Sequence, residues 1–334
     1  MTPLTCRLTL TDRTRAILDG SLCPRTAALD PRPDEPQAIF RASQVEGALD
    51  IAEISLGTHI LQSAQGRAAY TALPVFLSRA FRHNAVYVRA DRGIETAADL
   101  NGRRIGIQGL QQTATIWLRG ILAEHYGLRT GSVEWVIGGL NSPENLERAP
   151  LDRQPTLRCT PCAPGATLSD LLAASQIDAV LAPNPPACMA QESIPVRRLF
   201  ADPPGAERDY FRKTGIFPVM HVLGVRKALL DEMPDLAADL FQTFCAAKAA
   251  AQADLMRQNY LRASLPWIAE AARQTRALMG PNPWSYGFPG NRAGLEALVR
   301  YAHEDGLIDD GLDAAALFWP PSLGWSDPED APAA

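Results

Sequence analysis

The sequence predicts an α/β fold divided into two lobes. Three observations carry this. Strand-like and helix-like segments alternate from residue 4 to residue 183. The 334 residues are too many for one compact core. The order of segments also implies two crossings. "AVYVRA" opens a fresh strand–helix series, and "VMHVLGV" leads back into a long helical end. The expected division is residues 1–88 with 222–334 as lobe one, 89–221 as lobe two, and a loose tail over about 320–334.

The elements follow in order. "LTCRLTL" (4–10) alternates as a strand does, and "DRTRAILDG" reads as its outgoing loop. "PQAIFRASQVEG" (36–47) has helical spacing, and "LDIAEI" (49–54) is a short buried strand. "GTHILQSAQG" (57–66) is a helix, "YTALPVF" (70–76) is extended, and "AVYVRA" (85–90) is a strand. A strand at 104–108 precedes "TATIWLRGILAEHYG" (113–127), an amphipathic helix stopped by Gly127. Arg119, two turns into it, is expected at the surface. "VEWVIGG" (133–139) is a strand. Residues 140–166, rich in Pro, Asn and charge, form an irregular excursion. A helix over 167–176 and strands over 177–183 and 219–227 follow. A long helix spans 234–258, with Pro234 in its first turn. Helices over 265–278 and 292–305 come next, and then the Pro- and acid-rich tail.

Composition excludes several function classes. The net charge of −5 provides no general basic surface for nucleic acid or acidic membrane. No window reaches the ~18 apolar residues that a spanning helix needs. The N-terminus lacks the basic, apolar and small-residue pattern of a secretory signal, so a cytoplasmic location is expected. The six cysteines are then reduced thiols. "CTPC" (159–162) has metal or redox spacing but no second ligand pair, and it reads as a loop. No metal site is expected. Self-association is left open.

One stretch asks for a ligand. "SRAFRHN" (78–84) crowds Arg79, Arg82 and His83 around Phe81. Paired guanidiniums suit a carboxylate, although an ion pair or a solvated strand edge would also use them. In α/β sheets the loops leaving the strand C-termini line the ligand crevice. Here those loops are "TDRTR" with Arg13 and Arg15, "ISLGTH" with Ser55, and "QGLQQTAT" with Thr113. No P-loop or GxGxxG pattern is present.

Taken in order, "DRTRAILDG", "AEISLGTH", "LPVFLSRAFRHNAVYV", "ADLNGRRIGI", "TLSDLLAASQIDAVLAPNPP", "YFRKTGIFPVMHVLGVRK" and "LPWIAEAARQTRALMG" resemble the 4,5-dihydroxyphthalate decarboxylases from about residue 5 to 320. The resemblance implies a type II periplasmic-binding-protein-like fold with a ligand cleft between its lobes. It also implies non-oxidative decarboxylation of an aromatic dicarboxylate. "PNPP" departs from the family's pattern by placing Asn184 where a guanidinium is expected, so a related aromatic acid is an open alternative.

That chemistry assigns candidate roles. His221 and His83 lie in matching blocks, and imidazole titrates near neutrality, so they are the candidate proton carriers. Glu53 ends an apolar strand, where a carboxylate must be paired. It would accept a proton from a ring hydroxyl or neutralise Arg13 or Arg82. Arg82 leads the carboxylate anchors, with Arg79, Arg13 and Arg15 assisting. Ser55, Ser78 and Thr113 would supply hydrogen bonds, and Phe81 a stacking face. A hydroxyl para to each carboxyl pushes electrons to the reacting carbon, so no cofactor is called for. The alternative function is a non-catalytic solute-binding protein for an aromatic carboxylate.

Overall fold

The computed structural model describes residues 2–144, 147–152 and 154–330. The first sheet is built from β1 (Leu4–Leu8), β2 (Leu29–Pro33), β3 (Ile51–Ser55), β4 (Tyr70–Arg79) and, from far along the chain, β11 (Val219–Arg226). The second contains β5 (Val86–Arg89), β6 (Arg104–Ile107), β7 (Glu134–Ile137), β8 (Arg158–Pro161), β9 (Ala179–Leu181) and β10 (Val196–Arg198). Spatial order is β2-β1-β3-β11-β4 in the first sheet and β10-β5-β9-β6-β7-β8 in the second. Each sheet is mixed. β1, β2 and β3 run parallel, while β11 is antiparallel to both β3 and β4.

Among the described residues ten α-helices pack around the sheets: α1 (Asp12–Leu18), α2 (Pro36–Phe40), α3 (Leu56–Ala64), α4 (Thr113–Tyr126), α5 (Leu168–Ala173), α6 (Pro203–Thr214), α7 (Lys227–Glu232), α8 (Asp235–Leu255), α9 (Ile268–Met279) and α10 (Arg292–Glu304). None among the described residues is long and apolar enough to cross a membrane. The segment read as the outgoing loop of β1 is α1. Its first turn is set by Thr14, whose hydroxyl accepts from the Thr11 N–H and donates to the Thr9 carbonyl.

The chain leaves the first sheet over residues 80–85 and returns just before Val219. Val86–Val88 therefore pair within the second sheet, and Val219–His221 within the first. The C-terminal part does not stay with lobe one alone. Tyr301 of α10 packs edge-on against Trp117 of α4, with ring centroids 5.8 Å apart. Arg119 is fully buried rather than at the surface, in an ion pair of 2.7 Å with Asp305. Residues 320–330 are also held. Trp325 packs on Phe241, and buried Asp327 meets Lys248 at 2.5 Å. Residues 331–334 lie outside the described residues.

β4 carries the irregularity that shapes the site. Its pairing with β11 jumps from Leu223↔Leu73 to His221↔Ser78, so extra β4 residues bulge out of the ladder. Pro74, which has no N–H to donate, sits in this stretch. Other groups satisfy the freed carbonyls. Gly287 N–H donates to Pro74, Trp284 Nε1 to Phe76, and the Arg13 guanidinium to Leu77.

Two buried imidazoles make the fold acid-sensitive. His59 bonds to the Leu317 carbonyl (2.8 Å), and His83 to the Tyr126 hydroxyl (3.0 Å). Burial pushes each down to about 4. An unfolded imidazole takes up its proton near 6.5, so the unfolded chain gains protons first as pH falls. Stability is therefore complete above about pH 6.5 and is lost progressively down to about pH 4, by the order of 3 kcal/mol per imidazole. Urea midpoints measured across this window should fall, and His59→Gln with His83→Gln should flatten the fall. A wild-type midpoint constant over the window would contradict this.

Candidate active site

The apolar run of β3 forces its carboxylate to find partners. Every residue of Ile51–Ser55 is buried, and the Glu53 side chain is only 3% exposed. One of its oxygens takes a hydrogen bond from the Thr9 N–H (2.9 Å), and the other lies 2.6 Å from His221 Nδ1. Burial pushes the Glu53 carboxyl up, but the hydrogen bond and charge of His221, with Thr9, outweigh it, and the net shift is downward. Glu53 is thus an anion at neutral pH. It fixes the imidazole with Nδ1 protonated.

His221 is the accessible member of the pair. Its side chain keeps 18% exposure, and Nε2 makes no hydrogen bond to a described residue. On β11 it lies opposite Ser55 of β3 on one side and Ser78 of β4 on the other. The Phe40 ring meets it in a T-shaped contact, with centroids 4.8 Å apart.

A guanidinium that the sequence reading missed also lies against Phe40. Arg148, in the excursion between β7 and β8, sits 4.9 Å from the Phe40 ring centroid and donates to Gln37 Oε1 of α2. Its neighbours are clamped. Gln111 Nε2 donates to Glu147 (2.5 Å) and to the Ala149 carbonyl (2.8 Å), and Ala149 N–H donates back to Gln111 Oε1 (3.0 Å). With both flanking residues tied to the β6–α4 loop, the Arg148 side chain is directed toward lobe one. Burial pushes it down to about 10, opposed by the Glu147 carboxylate, so it stays a cation at neutral pH. Among the described residues no carboxylate is paired with it.

The "SRAFRHN" side chains do not converge on this place. Arg79 is buried, and its donors go to the Phe217 and Ser285 carbonyls and to Asn291 Oδ1. Arg82 adopts a left-handed backbone (φ 89°), and its charge faces Glu207 of α6. His83 is enclosed by the rings of Tyr126, Phe200 and Tyr210. Phe81 stacks on Phe217 at 4.7 Å. Arg13 is spent on the Leu77 carbonyl and stacks 4.1 Å over Trp284. Arg15 is exposed on α1, and Asn184 is exposed after β9. Ser55 and Thr113 hold each other (3.1 Å), and Thr113 also accepts from the Gly57 N–H (2.9 Å), which knits the lobes. A Cβ at Gly57 would lie 2.4 Å from the Gln111 carbonyl, so only glycine allows this approach. Of the sequence candidates, Glu53, His221, Ser55 and Ser78 share one locality, with Thr113 beside Ser55.

Known proteins place this geometry in context. No protein-family model matches the chain. A 4,5-dihydroxyphthalate decarboxylase from Comamonas testosteroni is 38% identical over 314 residues, covering 93% of this chain and 94% of its own. The chain belongs to the 4,5-dihydroxyphthalate decarboxylase family. A second member, from Pseudomonas putida, is 39% identical over 202 residues, covering 60% of this chain and 78% of its own. Among solved structures, the alkanesulfonate-binding protein SsuA from Xanthomonas axonopodis pv. citri superposes with a TM-score of 0.53 at 16% identity, covering 96% and 98% of the two chains. A sulfonate-binding SsuA from Methylobacillus flagellatus gives 0.54 at 11%, covering 97% and 93%. At these identities the likeness shows the fold alone: a two-lobed, type II periplasmic-binding-protein-like architecture.

Within this decarboxylase-family chain a cavity of about 520 Å3 lies elsewhere, between α1, α6, α8 and α9. Its lining contains neither Glu53 nor His221. Among the described residues, the Glu53–His221 pair joins an anchored carboxylate to an imidazole whose Nε2 has no partner.

Proposed function

We propose that the protein is a cytoplasmic carboxy-lyase that converts 4,5-dihydroxyphthalate, or a closely related aromatic dicarboxylic acid, to a dihydroxybenzoate and CO2. The observation that carries this reading is the Glu53–His221 pair with Arg148 against the same Phe40 ring. Family membership supports the substrate class. The six free cysteines suit a reducing compartment.

The substrate carries two adjacent carboxylates, each para to a hydroxyl. Arg148 holds the retained carboxylate through charge-assisted hydrogen bonds. Phe40 offers the ring an apolar neighbour. Protonated His221, steadied by Glu53, donates its Nε2 proton to the ring carbon bearing the leaving carboxylate. The para hydroxyl feeds electrons to that carbon and stabilises the protonated ring. The carbon–carboxylate bond then breaks, its electron pair restores aromaticity, and CO2 departs. The dianionic substrate plus one proton yields the monoanionic product plus CO2.

Turnover of 4,5-dihydroxyphthalate in D2O should give 3,4-dihydroxybenzoate with one deuterium at the vacated position, readable by proton NMR. A product hydroxylated at that position would contradict direct protonation.

A further inference from the structure

We propose that the cavity between α1, α6, α8 and α9 is a second ligand site, built for a phenolic anion: an aromatic ring that carries a hydroxyl and a carboxylate. Its volume of about 520 Å3 is in the range of small-molecule sites. The wall is aromatic and apolar. Phe81 and Phe217 stack at 4.7 Å with planes 22° apart, and Trp284 meets Phe217 edge-on at 5.3 Å. Phe81 lies on the first chain crossing between lobes and Phe217 on the second. A ligand here therefore touches both crossings.

Two independent features specify the polar groups. Gln252 lines the cavity and is only 8% exposed. Its Nε2 donates to Asn282 Oδ1 (3.2 Å), while its Oε1 is buried with no partner. A buried amide oxygen without a donor is a standing cost, which an incoming hydroxyl removes. The second feature is charge. Arg13, Arg208 and Arg276 line the cavity with Asp12 and Glu207, and Lys248, also in the lining, is already neutralised by Asp327 and Glu329. Arg13 pairs with Asp12 (3.0 Å), whereas Arg208 and Arg276 make no ion pair among the described residues. The surplus is positive and suits an anion.

The probe is 3,4-dihydroxybenzoate. Choosing it rests on the decarboxylase reading, but the site does not. Calorimetric titration of the wild type should show two equivalents bound. Arg148→Ala should weaken the one bound beside Glu53 and His221. Gln252→Met should weaken the other roughly tenfold, as loss of one hydrogen bond does, and leave the initial rate on 4,5-dihydroxyphthalate unchanged. Arg276→Ala, on a helix with no buried residue, retains the fold and should weaken the same equivalent. An equivalent sensitive to Gln252 and Arg276 but not to Arg148 supports the site, even if no CO2 is released and the decarboxylase reading fails. A single equivalent weakened by Arg148→Ala, or binding indifferent to both Gln252→Met and Arg276→Ala, overturns it.

Discussion

Replacing His221 with glutamine is expected to lower turnover of 4,5-dihydroxyphthalate by about 10²–10⁴-fold, the usual contribution of a general acid. Substrate affinity should stay near the wild-type value, because the imidazole is assigned to the proton and not to the carboxylate. Glutamine fills similar space on β11 and keeps the strand pairing to Ser55 and Ser78. Glu53→Gln should follow in the same direction. It removes the anion 2.6 Å from Nδ1, so the protonated imidazole loses its stabilising charge. His83→Gln, in its aromatic enclosure, should change stability and leave kcat alone. Near-normal turnover in His221→Gln would remove this residue from the chemistry.

Arg148→Ala is expected to produce the second-largest effect, of the opposite kind. Loss of a charge-assisted hydrogen bond costs roughly 1.5–3 kcal/mol, which is about a 10- to 150-fold loss of affinity. Binding should weaken while the rate at saturation falls far less. Arg148→Lys should recover part of the affinity but not the paired geometry. Gln37→Ala removes only the side chain that receives Arg148 and should cost less. Unchanged affinity in Arg148→Ala, measured by calorimetry, would leave the retained carboxylate without this anchor.

The fold was legible wherever periodicity and burial coincide. β3, β11, α4 and α8 are long or strongly apolar, and their sequence pattern decides them. The edge strands were not legible. β2 is "LDPRP", and its two prolines are tolerated because it pairs only with β1 at the sheet margin. β8 and β10 are short and rich in charge or proline. α1 looked like a loop because its caps are hydroxyl contacts to Thr9 and Thr11, which no apolar period reports.

The candidate site divides in the same way. A carboxylate inside the apolar run "LDIAEI" announces that Glu53 must be paired, and family blocks pointed to His221. Their pairing joins residues 168 positions apart and could not be read locally. Proximity in sequence misled at "SRAFRHN". Strand β4 ends at Arg79, and the left-handed turn at Arg82 sends the following residues elsewhere, so the cluster is dispersed among carbonyls, Glu207 and an aromatic enclosure. Arg148 carried no signal of its own. It lies in a polar, charged stretch that reads as solvated, and its direction comes from the Gln111 clamp on its two neighbours.

The most direct measurement is CO2 release when the purified protein is incubated with 4,5-dihydroxyphthalate. The account predicts one CO2 and one 3,4-dihydroxybenzoate per substrate consumed, with both signals lost together in Glu53→Gln and His221→Gln. Tight binding of the dicarboxylate by the wild type with no CO2 released would contradict it and would identify a binding protein on the same two-lobed scaffold.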